Sequence, residues 1–192
     1  LADVYPRCGA LTPPSPHPFS AARTSSSAAP GSTLGVAADG LAGELAAHGV
    51  AVVHQVHHDL LADYGPEAWG ESVAQAVRVL LPGSVLACGT DRGNEVMAQA
   101  AARLDVPFVA NVMSVTAADV WDVTRVRWGG SLLETCTLTA DVKLLTVSHH
   151  AFEAAESAVA GTTATLSVDL DPALSEALDD AWPEHLEHPV RG

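Results

Sequence analysis

Short apolar runs alternate with amphipathic segments along most of the chain, and this alternation predicts alternating strands and helices. Val50–Val56 is rich in β-branched valine, a composition that favours a β-strand. Apolar residues recur at helical spacing in residues 66–80, and Pro66 stands where the first turn of a helix tolerates proline. Leu41 and Leu45, four residues apart, predict a shorter helix before that strand.

The clearest unit covers residues 84–112. Ser84–Cys88 is apolar without alternation, as expected of a strand with both faces covered. A helix capped by Thr90 or Asp91 follows, and it ends before a further strand at Phe108–Val112. Strand, helix and strand within about thirty residues predict a right-handed parallel crossover.

The pattern changes after residue 120. Asp122–Trp128 and Leu132–Leu138 are predicted strands, and Gly129-Gly130-Ser131 between them predicts a hairpin turn. A last buried strand is predicted at Val142–Val147. Together these elements predict the α/β class, as a three-layer α/β/α sandwich with a mostly parallel sheet and a small antiparallel hairpin near its end.

The two ends of the chain differ from this regular middle. Residues 1–33 are rich in proline and serine, which withhold backbone donors and bury little surface, so this segment is predicted to be largely irregular. The α/β domain is predicted at residues 34–155. Residues 156–192 are predicted to form an extended tail that includes Thr163–Asp169.

The charge balance excludes several classes of partner. The chain has 9 basic and 23 acidic residues, a formal net charge of −14. Nucleic acid and anionic membrane surfaces need clustered lysine and arginine, so we expect neither as a partner. No run approaches the roughly 18 apolar residues of a membrane helix, and we expect no membrane insertion. Cys8, Cys88 and Cys136 show no CxxC spacing and predict reduced thiols in a cytoplasmic protein.

Motifs for catalysis and metal binding do not stand out. The chain has neither a GxxxxGK[ST] phosphate loop nor a GxGxxG fingerprint. Its nine histidines show no i, i+4 pair on one predicted helix, so we expect neutral or solvent-facing histidines at strand ends. Ser131 lacks the second glycine of a nucleophile elbow. We therefore expect no catalytic residues, no metal site and no enzymatic activity.

One loop is a weak candidate for anion binding. Two glycines lie between a predicted strand and a predicted helix start, where free backbone N–H groups point outward. Two interpretations stay open. One is a tight strand-to-helix turn, and the other is a nucleotide contact made by Gly89, Thr90, Asp91, Arg92, Gly93 and Asn94.

A short basic segment is the candidate partner interface. Arg125 and Arg127 stand at positions i and i+2 of one predicted strand, so both side chains project from the same face. Trp128 is the kind of large side chain that anchors interfaces. The alternative is a solvated strand face whose charges are balanced by Asp119 and Asp122.

Three short sequence motifs, in the same order along the chain, resemble motifs in the α subunits of electron-transfer flavoproteins. The first is Asp91–Asn94 leading into the Ala-Ala-Ala-Arg-Leu-Asp run at residues 100–105. The second is Thr124–Glu134, and the third is Leu144–Phe152. With a looser match before them, the resemblance covers residues 33–155.

The resemblance implies a fold similar to the adenine-nucleotide α-hydrolase group and a role in flavin-mediated electron transfer. Such α subunits form a heterodimer with a β subunit, accept electrons from flavin dehydrogenases and pass them through FAD to a quinone reductase or another acceptor. It also implies that FAD is held mainly by a carboxy-terminal α-subunit domain, and AMP, if present, by the β subunit. We expect residues 156–192 to be the start of that FAD-binding domain, the rest being absent from this chain.

The start of the chain departs from the family pattern. The family opens with an apolar strand, a helix and a second strand, and residues 1–31 show no such pattern. A missing strand would leave its neighbours in the sheet unpaired.

Two other functions remain as alternatives. A stand-alone adenine-nucleotide-binding module similar to a universal stress protein would use residues 89–94, at the carboxyl end of the sheet where open α/β sheets bind ligands. A hydrolase of the same fold group is disfavoured by the missing loop motifs.

Overall fold

A computed structural model describes residues 30–118, 120–152, 156–157 and 159–176. The strands are β1 (Gly31–Leu34), β2 (Val52–Val56), β3 (Ser84–Cys88), β4 (Phe108–Thr116), β5 (Trp121–Arg127), β6 (Leu132–Leu138), β7 (Lys143–Val147) and β8 (Thr162–Leu166). The helices are α1 (Ala42–Ala47), α2 (Pro66–Leu80), α3 (Asp91–Leu104) and α4 (Ala173–Glu176). Short 3₁₀ turns lie at Val36–Leu41, Asp59–Leu61 and Trp128–Gly130.

Within these residues the strands form two sheets. The first has the order β1-β2-β8 and is parallel throughout. The second has the order β3-β7-β4-β5-β6, parallel from β3 to β4 and antiparallel from β4 to β6. Helices pack against this largely parallel arrangement, and the antiparallel part is the β5–β6 hairpin. The predicted α/β class, a three-layer sandwich with a small antiparallel hairpin, is confirmed.

One hydrophobic core joins the two sheets. It contains Leu34 from β1, Val56 from β2 and Cys88 from β3, all buried, together with Trp69 and Val96 from the helices. No described strand pairs with the free edge of β1 or with that of β3. The described part of the chain therefore has two sheets with separate hydrogen-bond ladders and a common interior.

Helices α2 and α3 begin and end where the sequence predicts. Pro66 occupies the first turn of α2, and Thr90 caps α3. The predicted core role of Trp69 is confirmed, since it is only 7% exposed and its Nε1–H donates to the Asp63 carbonyl at 3.0 Å. A Cβ at Gly70 would overlap α3, because the two helices approach closely there. Of this pair, α3 packs against β3 and β7.

Two strands, β1 and β8, lie at or beyond the predicted boundaries of the α/β domain. β1 begins at Gly31, inside the segment predicted to be irregular, of which residues 1–29 lie outside the described residues. β8, predicted as part of an extended tail, pairs with β2 from Thr162 to Leu166 and belongs to the α/β fold. Gln75 then anchors the following segment through hydrogen bonds to both backbone groups of Asp169. Long-range strand pairing of this kind leaves no local sequence pattern, so the sequence does not predict that β8 pairs with β2.

The cysteine prediction is only partly right. Cys136 is a free thiol, whereas Cys88 is disulfide-bonded. Spacing along the sequence does not report which cysteines are neighbours in space, and CxxC motifs are only one route to a disulfide.

The described helices give no candidate for a membrane span: none is long and apolar enough to cross a bilayer.

Candidate functional site

The strand-to-helix loop, residues 89–94, connects β3 to α3. Thr90 Oγ1 accepts a hydrogen bond from the Gly93 N–H at 3.0 Å and so caps the helix. The Gly89 N–H donates to a carbonyl of β7 at 2.7 Å. Asp91 places a carboxylate in the first turn of α3, where it interacts favourably with the helix dipole and opposes a bound anion. The chain thus satisfies much of the loop's bonding capacity internally.

The glycines of this loop allow backbone segments to pack closely. A Cβ at Gly93 would overlap the carbonyl oxygen of Cys88, and one at Gly89 would lie 2.7 Å from the carbonyl oxygen of Val147. The pyrophosphate of FAD or another dinucleotide needs open N–H groups and room for a close approach. The N–H groups of Gly89 and Gly93 already have acceptors within the chain, so these two donors are not open to such a group. Their geometry favours the tight turn over the nucleotide contact.

A ring of hydrogen bonds joins α3 to β4 and β7. The Asn111 N–H donates to Thr146 Oγ1 at 3.0 Å, and the Thr146 hydroxyl donates to Asn94 Oδ1 at 2.6 Å. Asn94 Nδ2 donates to Asn111 Oδ1 at 3.3 Å, which closes the ring. Asn111 has a left-handed φ of 59°, which asparagine tolerates better than most residues, at a register shift of β4. Asn94 therefore uses both ends of its amide within the domain.

Tyr64 packs against the start of α3. The Arg92 guanidinium lies 4.8 Å from the centre of the Tyr64 ring, within cation–π range. The Tyr64 hydroxyl donates to Glu95 Oε2 at 2.6 Å. Burial, followed by this hydrogen bond, raises the pKa of Tyr64 well above its usual range. Arg92 therefore contacts a neighbouring side chain at this end of the helix.

The hairpin end, residues 127–133, projects apolar side chains into solvent. Trp128 is 78% exposed and Leu133 is 68% exposed. Leu132 is also exposed, and because neighbouring strand residues point to opposite faces, the apolar side chains lie on both faces of the hairpin. Trp128 has a φ of 54°, which is a strained conformation for a bulky residue. Neither burial nor backbone preference accounts for a tryptophan at this position.

Arg125 and Arg127 lie on one face of β5, as predicted. Arg125 Nε is 2.7 Å from Glu134 Oε2, and Arg127 Nη1 is 3.3 Å from the same oxygen. Glu134 faces Arg125 across the β5–β6 pair. The hydrogen bond from Arg125 is the main cause that lowers the pKa of Glu134. Two guanidinium groups thus share one carboxylate.

A surface concavity of about 440 Å³ lies beside these arginines. Its lining includes Arg125, Arg127 and Trp128 from the hairpin, Asn111 from β4, and Ser148, which directly follows β7. The register shift in β4 at residues 110–111 brings Asn111 to this surface. The structure therefore brings together the three residues of the predicted interface at one recess.

Glu134 is the functional neighbour that sequence reasoning missed. The alternative of a solvated strand face relied on Asp119 and Asp122, but the carboxylate in contact with the arginines belongs to Glu134, and Asp119 lies outside the described residues. The signal was present in the sequence. A hairpin turn at residues 129–131 makes Arg125 and Glu134 approximate cross-strand partners.

His57 and His58 make ordinary polar contacts. His57 Nε2 is 2.9 Å from Asp39 Oδ1, and His58 Nδ1 accepts a hydrogen bond from the Leu60 N–H. Among the residues that the structure describes, no group of three or more His, Cys, Asp or Glu side chains could hold a metal ion.

Comparison with known proteins gives one family. A model of the electron transfer flavoprotein domain matches residues 10–173, most of the 192-residue sequence. No curated protein matches the chain. The order of α/β elements described above agrees with the sequence resemblance noted for residues 33–155. The chain belongs to the electron transfer flavoprotein domain family.

Proposed function

We propose that this chain is an α-subunit-type domain that docks an electron transfer flavoprotein β subunit and supports flavin-mediated electron transfer without catalysing a reaction itself. Family membership supports the role in electron transfer. The three short sequence motifs that resemble α subunits support the choice of subunit. The observation that carries the docking role is the exposed, strained hairpin end.

The hairpin end has the properties of an interface anchor. Trp128 and Leu133 expose large apolar surfaces that an isolated domain gains nothing by displaying. Tryptophan and arginine are the residues most often found at energetic centres of interfaces. Arg125 and Arg127 lie next to Trp128, so the proposed interface combines an apolar anchor with charge.

FAD would supply the electron-accepting chemistry of the assembled protein. We propose that residues outside this described domain hold it, because the glycines of the strand-to-helix loop pack against backbone instead of leaving a pyrophosphate cradle. AMP, if present, would belong to the β subunit. Flavin dehydrogenases as donors and a quinone reductase as acceptor are the partner classes that this role requires.

The direct test is binding of the full chain to a purified β subunit of an electron transfer flavoprotein. Trp128→Ala should weaken binding about 10-fold or more, the usual effect of removing an interface anchor. Val79→Ala is the matched control, because Val79 is a large apolar residue, 62% exposed, on α2. It should change the dissociation constant less than twofold. Equal effects of the two variants would contradict the docking role of the hairpin end.

A second measurement separates this proposal from the nucleotide-binding module. The purified chain is heat-denatured and the supernatant analysed for AMP and ATP, and its visible spectrum is recorded beforehand. Copurification with a β subunit, with no flavin from the chain alone, supports the proposal. A yellow protein, or stoichiometric AMP or ATP released from the isolated chain, would contradict it.

A further inference from the structure

The concavity beside the hairpin end contains side-chain donors that no described acceptor occupies. Arg125 donates to Glu134 through Nε alone, and no described residue accepts a hydrogen bond from its Nη atoms. Asn111 accepts through Oδ1, and its Nδ2 has no described acceptor. The Ser148 hydroxyl has no described partner either. These atoms are not among the buried side-chain atoms that lack a hydrogen-bond partner. Solvent or a ligand can therefore reach them.

The guanidinium groups are held in place before any ligand arrives. The Arg125 side chain is only 19% exposed and is fixed at Nε by a 2.7 Å contact. Arg127 contacts the same Glu134 oxygen at 3.3 Å. Two positive charges against one negative charge leave a local excess of one, although the whole chain carries −14. The two Nη atoms of Arg125 are best matched by a negatively charged group that accepts two parallel N–H···O hydrogen bonds.

Resting on the proposed docking function, we propose that this concavity receives one Asp or Glu carboxylate of the docked partner, and that Glu134 is an internal competitor for the same arginines. The incoming carboxylate accepts hydrogen bonds from Arg125 Nη atoms, with Asn111 and Ser148 as further donors. Glu134 orients the two guanidinium groups in the free chain but also repels the incoming charge.

The surroundings favour a carboxylate on a protein over a free anion. The rim of the concavity is exposed, since Trp128 is 78% exposed and the Arg127 side chain is 46% exposed. A free metabolite would be covered on one side only, whereas ligand sites usually enclose most of the ligand. A partner protein would cover the other side and, at the same time, bury Trp128, Leu132 and Leu133.

The test compares variants in which either Arg125 or Glu134, the two partners of one ion pair, is replaced. Affinity of the full chain for the β subunit is measured by calorimetry. Arg125→Gln removes the donor and should weaken binding about 10-fold or more, as expected for a charge-assisted hydrogen bond. Glu134→Gln removes the competing charge and should tighten binding about two- to fivefold. Arg125→Lys keeps the positive charge but loses the two parallel guanidinium donors. Its affinity for the β subunit should lie between that of Arg125→Gln and that of the unmodified chain.

Glu71→Gln is a matched control. Glu71 also contacts two arginines, Arg78 at 3.4 Å and Arg103 at 3.2 Å, on the helices rather than the hairpin. Its loss should change affinity for the β subunit less than twofold. Thermal unfolding of each variant shows whether the fold is retained.

The outcomes separate the two proposals. If the unmodified chain forms no complex, the docking function fails and this inference fails with it. If the complex forms but Glu134→Gln weakens it, or Arg125→Gln and Arg125→Lys leave it unchanged, only the carboxylate site is overturned. If the isolated chain binds succinate or inorganic phosphate below about 1 mM, and Arg125→Gln abolishes this, the site is one for small anions and the partner assignment is wrong.

Discussion

Two glycine-containing turns among the candidate site residues use glycine in opposite ways. In the strand-to-helix loop, residues 89–94, Gly89 and Gly93 have no space for a side chain. In the hairpin end, Gly129 and Gly130 have left-handed φ values of 59° and 97°, and nothing lies within 4 Å of where a side chain would be. The first turn is constrained by packing and the second by backbone conformation.

This difference changes which turn is available to a partner. In the loop that is the nucleotide-binding candidate, the Gly89, Gly93 and Asn94 N–H groups and the Asn94 amide are engaged within the chain. The hairpin end leaves Trp128 and Leu133 exposed instead. Two glycines next to a helix therefore indicate a binding site only when the accompanying donors have no internal acceptors.

The largest expected effect tests the packing of the first turn. Gly93→Ala places a methyl group onto the carbonyl oxygen of Cys88, so the free energy of unfolding should fall by about 3 kcal/mol. Gly43→Ala, in α1 with open space around it, should leave it unchanged or raise it by about 0.5–1 kcal/mol. Urea denaturation measures both. A small loss for Gly93→Ala would show that the loop is loosely packed.

The next effect tests whether Asn94 is a structural residue. Asn94→Ala removes the acceptor of the Thr146 hydroxyl, which is fully buried, so unfolding free energy should fall by about 1–3 kcal/mol. The comparison variant is Thr124→Ala, whose hydroxyl has an exposed 3.4 Å contact with Thr135, and its effect should stay within about 0.5 kcal/mol. Similar stability of both variants would argue against the ring.

A smaller effect is expected in the second turn. Gly129→Ala introduces strain at a φ of 59° without any clash, and should cost about 1 kcal/mol of unfolding free energy. Gly129→Asn should cost less, because asparagine enters the left-handed region more readily. If Gly129→Ala destabilised the chain as much as Gly93→Ala, the proposed difference between the two turns would be wrong.

The smallest effect concerns pH. Burial and the hydrogen bond to Glu95 raise the pKa of Tyr64 in the folded chain, so the folded state holds this proton more tightly than the unfolded state. The resulting stabilisation is complete below about pH 10, the ordinary tyrosine pKa, and declines as the pH rises above it. Chemical unfolding between pH 8 and 11 should show a constant stability difference between Tyr64→Phe and the unmodified chain up to about pH 10, and a narrowing difference above it. Curves that stay parallel would contradict the raised pKa.

Much of the secondary structure follows from local pattern. The strand at Ser84–Cys88, the helix after Pro66 and the strand at Leu132–Leu138 were predicted at their observed bounds or within a residue of them. Apolar spacing, proline and glycine act over a few residues, so they can be interpreted without knowledge of the fold. The three residues predicted as an interface also lie together at one recess.

The sequence by itself determined the α/β class, the order of elements from α1 to β7, the family resemblance and the shared face of Arg125 and Arg127. Only the tertiary structure decided that β8 joins the first sheet, that Glu134 and not Asp122 balances the arginines, and that Asn94 bonds inward. The reason is physical. Propensity and periodicity arise from neighbours along the chain, whereas strand partners, ion pairs and buried hydrogen bonds depend on which distant segments the folded backbone brings within a few ångströms of one another.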